Sequence, residues 1–341
     1  MPGDTLETPA LSRATLSRVA SDASVSISTV SKVLNGRPGV SEATRSRVEG
    51  LLKDHGYNRR NSSQTIAPLI ELVFSEIDSA WAIEIITGVE RIARLNGLSV
   101  VLTESGDRHS PSPDWIEGAM RRRPAGVILV FSDLSADHKH QLRARNIPFV
   151  VVDPAGDPAP DVPSIGSANW SGGFIATRHL IELGHRDIAM ITGPEDMMCS
   201  TARLSGYRAA MDAAGIPVRA DYVLFGQFHH EDGISRGHRL LTLPQRPTAI
   251  FAGSDLQALG VYQAARALGL LVPDDLSVVG YDDLKIAQWA GPPLTTVRQP
   301  LVEMAEEATK LVLRLRDDPR TENLRIDLAT RLIVRGSTAA V

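Results

Sequence analysis

A single cysteine, Cys199, stands among 341 residues. That excludes an internal disulfide framework and fits a reducing compartment. Long apolar runs are missing too: no stretch approaches the roughly 18 to 20 residues a membrane span needs. The start, MPGDTLETPALSRATL, has neither the basic opening nor the unbroken apolar run of a secretion signal. Together these absences read as cytoplasmic, with no membrane partner. Catalytic signatures are absent as well: there is no G-x-x-x-x-G-K-[ST], no G-x-S-x-G and no H-E-x-x-H. His229-His230 has no further ligand at metal spacing, and Cys199 has no histidine near it in sequence. No catalytic constellation, metal site or cofactor motif is visible, and no short-period repeat appears.

What is present is an ordinary composition, 43% hydrophobic and 22% charged, in a chain longer than one core usually holds. Two or three domains are expected. Charge is unevenly spread. Between Leu11 and Thr65 nine Lys/Arg face four Asp/Glu; with +5 here and −4 overall, the remainder carries −9. A basic front on an acidic body suggests that the front meets a polyanion. A merely solvated helical surface is the alternative.

That front reads as three short helices. TLSRVASDA spaces Leu16, Val19, Ala20 and Ala23 by threes and fours, with Thr15 placed as an N-cap. Ser26 caps a second helix over about Ile27 to Leu34, buried through Val30, Val33 and Leu34. NGRPG ends it. Ser41 caps a third, EATRSRVEGLLKDHGY, with Val48, Leu51 and Leu52 inward. Two helices joined by a tight turn, with a third packed across them, make a helix-turn-helix. The second helix then presents Ile27, Ser28, Ser31 and Lys32 outward. Small hydroxyls let it approach the floor of a DNA major groove, where Lys32 can reach a guanine edge and Ile27 a thymine methyl. Helix starts near Ser26 and Ser41 suit phosphate contacts. A polar stretch, NRRNSSQTIAP, follows as a linker.

Beyond Pro68 apolar runs alternate with amphipathic helices. One series is LIELVF (69–74), LSVVLT (98–103), GVILVF (126–131) and PFVVVD (148–153). A second is DIAMIT (187–192), DYVLFG (221–226), TAIFAG (248–253) and LSVVGY (276–281). Continuous apolar strands separated by helices mean parallel sheets covered on both faces. Two sets of about four suggest two similar lobes, with a ligand in the crevice beyond the strand C-termini.

TLSRVASDASVSISTVSKVLNG resembles the head of the LacI/GalR repressors, whose pattern is T-x-x-x-V-A-x-x-A-x-V-S-x-x-T-V-S-x-x-L-N, and the match continues through VSEATRSRVEGLLKDHGY. In the body NWSGG (169–173), LIELGHRDIAMITGP (180–194), STARLSGY (200–207), SDLQALG (254–260), DLSVVGYDD (275–283) and PPLTTVRQP (292–300) resemble the same family's receptor domain. The resemblance implies a disordered extension over 1–14, a DNA-binding head over 15–58, a hinge over 59–67 and a two-lobed body of the periplasmic-binding-protein type over 68–341. Its N-lobe would take about 68–166 and 298–325, its C-lobe about 167–297 and 326–341. It further implies a homodimer, or a tetramer, on a near-palindromic double-stranded operator.

By matching position, Ile27, Ser28 and Lys32 would read bases. Thr15, Ser26, Thr29, Ser31, Asn35, Ser41, Arg45 and Tyr57 complete the candidate DNA-contacting set. Two departures stand out. Ser24 occupies a turn position where the family usually has glycine. Arg59 replaces the hinge proline and SSQTIA replaces A-R-x-L, which leaves Ile66 where a leucine would wedge into the minor groove; an ordinary linker residue is the other reading.

A sugar site needs carboxylate or guanidinium groups for vicinal hydroxyls and aromatic faces for the ring. The motif matches place Arg203 as donor, Asp282 as acceptor, and Trp81 and Phe228 as stacking faces, with Asp153 and Ser254 as further contacts. A structural ion pair remains the alternative for Arg203 and Asp282, and core packing for Trp81 and Phe228. Trp289 either lines the pocket or packs beneath PPLTT. The resulting expectation is a repressor of carbohydrate-utilisation genes governed by a mono- or oligosaccharide. A purine or nucleoside co-repressor, a non-regulatory sugar-binding protein and a sugar-processing enzyme are the rivals.

Overall fold

The computed structural model describes residues 10–34, 37–54, 66–77, 79–106, 111–131, 134–318 and 324–341. Helices α1 (Ala10–Asp22), α2 (Ile27–Leu34) and α3 (Glu42–Asp54) form the front. Val19, Ala20, Ala23, Val30, Val33, Val48 and Leu52 make its small core, with Leu16, Leu34 and Leu51 packed around it. The Ser26 hydroxyl accepts from the Thr29 N–H at 3.1 Å, and the Ser41 hydroxyl from Thr44 at 3.3 Å. Each such cap is worth about 1 kcal/mol. One expectation fails. Helix α1 begins at Ala10, so Thr15 falls inside the helix instead of at its start, and 10–14 are helical, not extension. The run ALSRA holds no breaker, and propensity carries the helix N-terminally past the residue that resembled its start. Ser24 adopts φ +51°, the left-handed conformation that glycine would take without strain.

The body is two α/β lobes. The N-lobe begins with β1 (Ala67–Phe74), α4 (Ala80–Leu95), β2 (Ser99–Glu104), α5 (Pro113–Arg122), β3 (Pro124–Val130), α6 (Ala136–Ala144), β4 (Phe149–Val152) and β5 (Ser164–Ser167). The C-lobe follows with α7 (Asn169–Glu182), β6 (Ile188–Thr192), α8 (Met198–Ala213), β7 (Val223–Phe225), α9 (His230–Leu241), β8 (Ala249–Ala252), α10 (Asp255–Ala267), β9 (Ser277–Asp282), α11 (Lys285–Trp289) and β10 (Thr295–Arg298). The chain then returns to the N-lobe as α12 (Leu301–Asp317) and β11 (Arg325–Leu328) and ends in the C-lobe with β12 (Arg331–Ile333). The sheets run β11-β5-β4-β3-β1-β2 and β12-β10-β9-β8-β6-β7. Every pairing is parallel except β10 with β12.

All eight expected strands are present, and four more join them. β5, β10, β11 and β12 are three or four residues long and rich in Ser, Thr, Arg and Gly, so hydropathy alone does not mark them. They shift the lobe boundaries. β10 ends at Arg298 in the C-lobe sheet, and β11 puts 325–328 in the N-lobe, which moves the last crossing to 329–330. β1 starts at Ala67, so the linker closes at Ile66.

Helix α12 packs Leu301, Met304, Ala305, Ala308, Leu311 and Val312 against strands and helix α4 of the N-lobe. At Gly88 of α4 a Cβ would lie 2.4 Å from the Val302 carbonyl, so these helices touch backbone to backbone. At the end of α5 the Arg122 guanidinium pairs with Glu71, fully buried in β1, which also accepts from the Trp115 indole at 2.9 Å. Among the described residues no helix is long and apolar enough to cross a membrane.

Candidate functional site

Parallel strands of both lobes end on one crevice, which encloses a cavity of about 340 Å³. From the N-lobe come Phe74, Glu76, Ser79, Trp81 and Phe131; from the C-lobe come Met197, Arg203, Phe228, His229, Ser254 and Asp282. Trp81 stacks on Phe131 with centroids 4.5 Å apart and planes at 29°. The aromatic wall of the N-lobe is therefore a pair, of which only Trp81 stood out in the sequence.

Arg203, 3% exposed, rises from α8 to the cavity floor. Its Nε donates to Asn169 Oδ1 at 2.8 Å and one terminal nitrogen to the Gly253 carbonyl at 2.6 Å. The guanidinium lies 3.8 Å above the Tyr281 ring and 5.3 Å from that of Phe228, a cation–π seat for a buried charge. Donors beyond those two bonds are available to a ligand.

Asp282, at the end of β9, accepts from the Gln299 amide at 2.6 Å. Burial pushes its carboxyl up to about 7, against the pull of Arg203. Asp153 follows β4 and is 1% exposed. It sits behind the lining, not on it, with Oδ2 lacking a hydrogen-bond partner among the described residues. Burial raises it to about 6, with Arg203 opposing. Ser254 caps α10, accepting from Gln257 N–H at 3.1 Å and donating to the Phe228 carbonyl at 2.9 Å. It supports the wall as much as it faces the cavity.

The backbone here is strained. Phe131, Asp153, Phe228, Asp282 and Asp283 all have φ between +49° and +113°, and such outliers gather where structure is committed to binding. A Cβ on Gly193 would meet the Phe228 ring at 2.0 Å, so glycine there makes room for the stacking face.

At the mouth, His229 Nε2 approaches Glu76 Oε2 at 3.6 Å across the two lobes. Trp289 is 77% exposed and belongs to neither the cavity nor a packed floor; the short α11 turns it to solvent. Sequence reasoning also missed Asn169 and Gln299. Both lie inside quoted motifs, NWSGG and PPLTTVRQP, but an amide carries no signal until its partners are known.

On the front, Ile27 is 53% exposed, and Ser28, Ser31 and Lys32 share its outward side. Ser26 links to Ser28 at 2.7 Å and to Thr29 at 2.9 Å through their hydroxyls, with Thr29 half-buried. Arg45 donates to the Arg37 carbonyl at 3.0 Å, and so ties α3 to the loop after α2. Ile66 is exposed just ahead of β1. Asn35 and Tyr57 lie outside the described residues.

A helix-turn-helix head joined to a two-lobed receptor with a buried polar cavity defines a small-molecule-responsive transcriptional regulator. Comparison with known proteins sharpens this. Residues 15–60 match "Bacterial regulatory proteins, lacI family" and 177–338 match "Periplasmic binding protein-like domain". The repressor CytR of Escherichia coli K12 is 35% identical over 336 residues, spanning 96% of this chain and 97% of that protein. The ribose operon repressor of the same organism is 36% identical, spanning 95% and 99%. A CelR–cellobiose complex superposes with TM-score 0.71 at 35% identity, covering 94% of this chain and 99% of the other. The lac repressor dimer bound to operator does so at 0.71 and 27%, covering 94% and 98%. The chain belongs to the LacI family of DNA-binding transcriptional regulators.

Proposed function

We propose that the protein is a dimeric repressor of carbohydrate-utilisation genes whose grip on a near-palindromic operator is set by a small saccharide in the interlobe cavity. The observation that carries this reading is the cavity itself: buried Arg203 and Asp282 lining it together with the Trp81–Phe131 pair and the Phe228 ring. A guanidinium and a carboxyl together serve adjacent hydroxyls as donor and acceptor, while the rings cover the C–H face of a sugar. Ser254 orients Phe228, and the Asp153 carboxyl lies within the field of Arg203. Solved structures of the family with cellobiose and with ribose, the latter from Enterococcus faecium at 27% identity and TM-score 0.71, support the saccharide class. In the head, Ile27, Ser28 and Lys32 read bases, with Ser26, Thr29, Ser31, Ser41 and Arg45 near the backbone and Ile66 poised for the minor groove.

The test is a thermal-shift panel of ribose, xylose, cellobiose, xylobiose, cytidine, adenosine and guanine, followed by gel shifts on the DNA upstream of its own gene. A saccharide that raises the melting temperature and changes operator affinity is the expected result. A nucleoside or base that does so while every sugar fails would replace the saccharide reading. An operator affinity that ignores added salt would remove the electrostatic part of the head's role.

A further inference from the structure

The two lobes are joined by three chain crossings: residues 167–169, residue 299 with its neighbours, and 329–330. The polar groups of the cavity floor converge on the first of them. Asp282 accepts from Gln299 Nε2 at 2.6 Å, and Gln299 Oε1 in turn accepts from the Ser167 hydroxyl at 2.7 Å. The Gln299 backbone N–H also donates to the Asp282 carbonyl at 3.3 Å. From the other side Arg203 donates to Asn169 Oδ1 at 2.8 Å, and Asn169 Nδ2 donates to the Ser167 carbonyl at 3.2 Å. Ser167 thus receives one arm from each charged group on the floor, through its hydroxyl and through its backbone. The third crossing is tied in as well: Ala168 N–H donates to the Leu328 carbonyl at 2.8 Å and the Thr330 hydroxyl to the Ala168 carbonyl at 3.3 Å.

Every side chain in these arms is buried: Ser167 5%, Asn169 7%, Gln299 3%, Asp282 6% and Arg203 3% exposed. Buried polar networks have few satisfied arrangements, because an unpaired member is costly. Amide side chains pass on a change of partner, since shifting the oxygen or nitrogen at one end moves the other. Neither Ser167 nor Gln299 lines the cavity, so their part lies in connection.

We infer that Ser167 and Gln299, with Asn169, form a relay that converts occupancy of Arg203 and Asp282 into the angle between the lobes. The inference rests on the cavity being the effector site and adds how that site is coupled. A ligand that recruits the Asp282 carboxyl or the Arg203 guanidinium competes with Gln299 or Asn169. The amides then re-pair with Ser167, and the three crossings, being hydrogen-bonded to one another, rotate as a unit. Gln299 and Ser167 are positioning residues in this scheme.

Two measurements on the full-length protein decide it. The first needs no effector. Backbone hydrogen exchange at Ala168 is followed in Asp282→Asn, alone and combined with Gln299→Met. The cavity change is expected to speed exchange at Ala168 at least about fivefold, and Gln299→Met, which keeps the volume but removes the amide, is expected to abolish that response. Ala168 exchanging equally in wild type and Asp282→Asn, or responding equally with and without Gln299, overturns the relay. The second measurement uses ribose and cellobiose as probes in operator gel shifts. Ser167→Ala is expected to keep sugar affinity within about threefold while losing at least about tenfold of the sugar-driven change in operator affinity, with Ser167→Thr restoring it. Sugar response intact in Ser167→Ala overturns the relay, and loss of sugar affinity itself makes Ser167 part of the site's structure and also overturns it. Should neither sugar act on wild type, the saccharide reading fails for these two ligands and the exchange measurement still decides the relay.

Discussion

On helix α2 the side chains proposed to contact DNA stand outward and exposed, whereas in the cavity Arg203, Asp282 and Ser254 are buried and hydrogen-bonded to other parts of the protein. Ile27, Ser28 and Lys32 face solvent, which suits the proposal that this face meets a long polyanion. Arg203, Asp282 and Ser254 are buried and bonded to Asn169, Gln299 and Phe228. The difference teaches that the head is a pattern displayed by a scaffold, while the receptor site is the scaffold. Changes in the first should alter binding alone, and changes in the second should alter stability and binding together.

The sharpest attack on that contrast is Arg203→Met. It removes the cation that faces Asp153 and Asp282, takes away the donor to the Gly253 carbonyl, and leaves Asn169 Oδ1 with the 3.4 Å bond from the Tyr281 hydroxyl. Urea denaturation should show a loss of about 3 to 5 kcal/mol, accompanied by loss of effector binding; a loss below about 1 kcal/mol would show that the cavity floor carries no structural load. Next comes Lys32→Ala. Operator affinity should fall about five- to 150-fold in gel shifts with melting temperature and effector affinity unchanged, and a parallel drop in stability would erase the distinction.

Asp153→Asn tests the electrostatics of burial. With its folded value near 6 and an ordinary value of 3.8, the folded state keeps a proton that the unfolded chain releases between these limits. Wild-type stability from this group therefore rises as pH falls from 6 towards 4, and the buried charge costs stability above pH 6. The variant should be more stable at pH 8 by about 1 to 3 kcal/mol, with the gain vanishing near pH 4. The smallest effect is expected from Ser24→Gly, which relieves a left-handed serine and should stabilise the head by up to about 1 kcal/mol. Thermal melting of the head's signal measures it.

The same contrast explains what could be read from residues alone. Helices α1 to α3 are local: caps, apolar spacing and turn residues sit within a few positions of one another, so α2 was legible from Ile27 to Leu34 and its outward face followed. The eight long apolar strands were legible for the same reason. The start of α1 was not, because Thr15 resembles a cap and ALSRA is equally content as helix. The cavity was legible only through family motifs. Phe131 has a partner 50 residues away in Trp81, and Gln299 lies 132 positions from Ser167. No spacing rule reaches across such separations, and the strands β5 and β10 to β12 that create them are too short and polar to show a period.

The three crossings have a consequence for how the protein comes into being. The first five strands of the N-lobe leave the ribosome before any C-lobe segment, yet the helix that covers them, α12, and the edge strand β11 are translated after almost all of the C-lobe. During synthesis the part of the face of Ile70, Leu72 and Ile128 that α4 does not cover must therefore wait until Met304, Leu311 and Val312 arrive. A nascent chain halted before residue 301 would present the half of that face beside α4 to chaperones and proteases, so the late segment acts as the closing stitch on the early one.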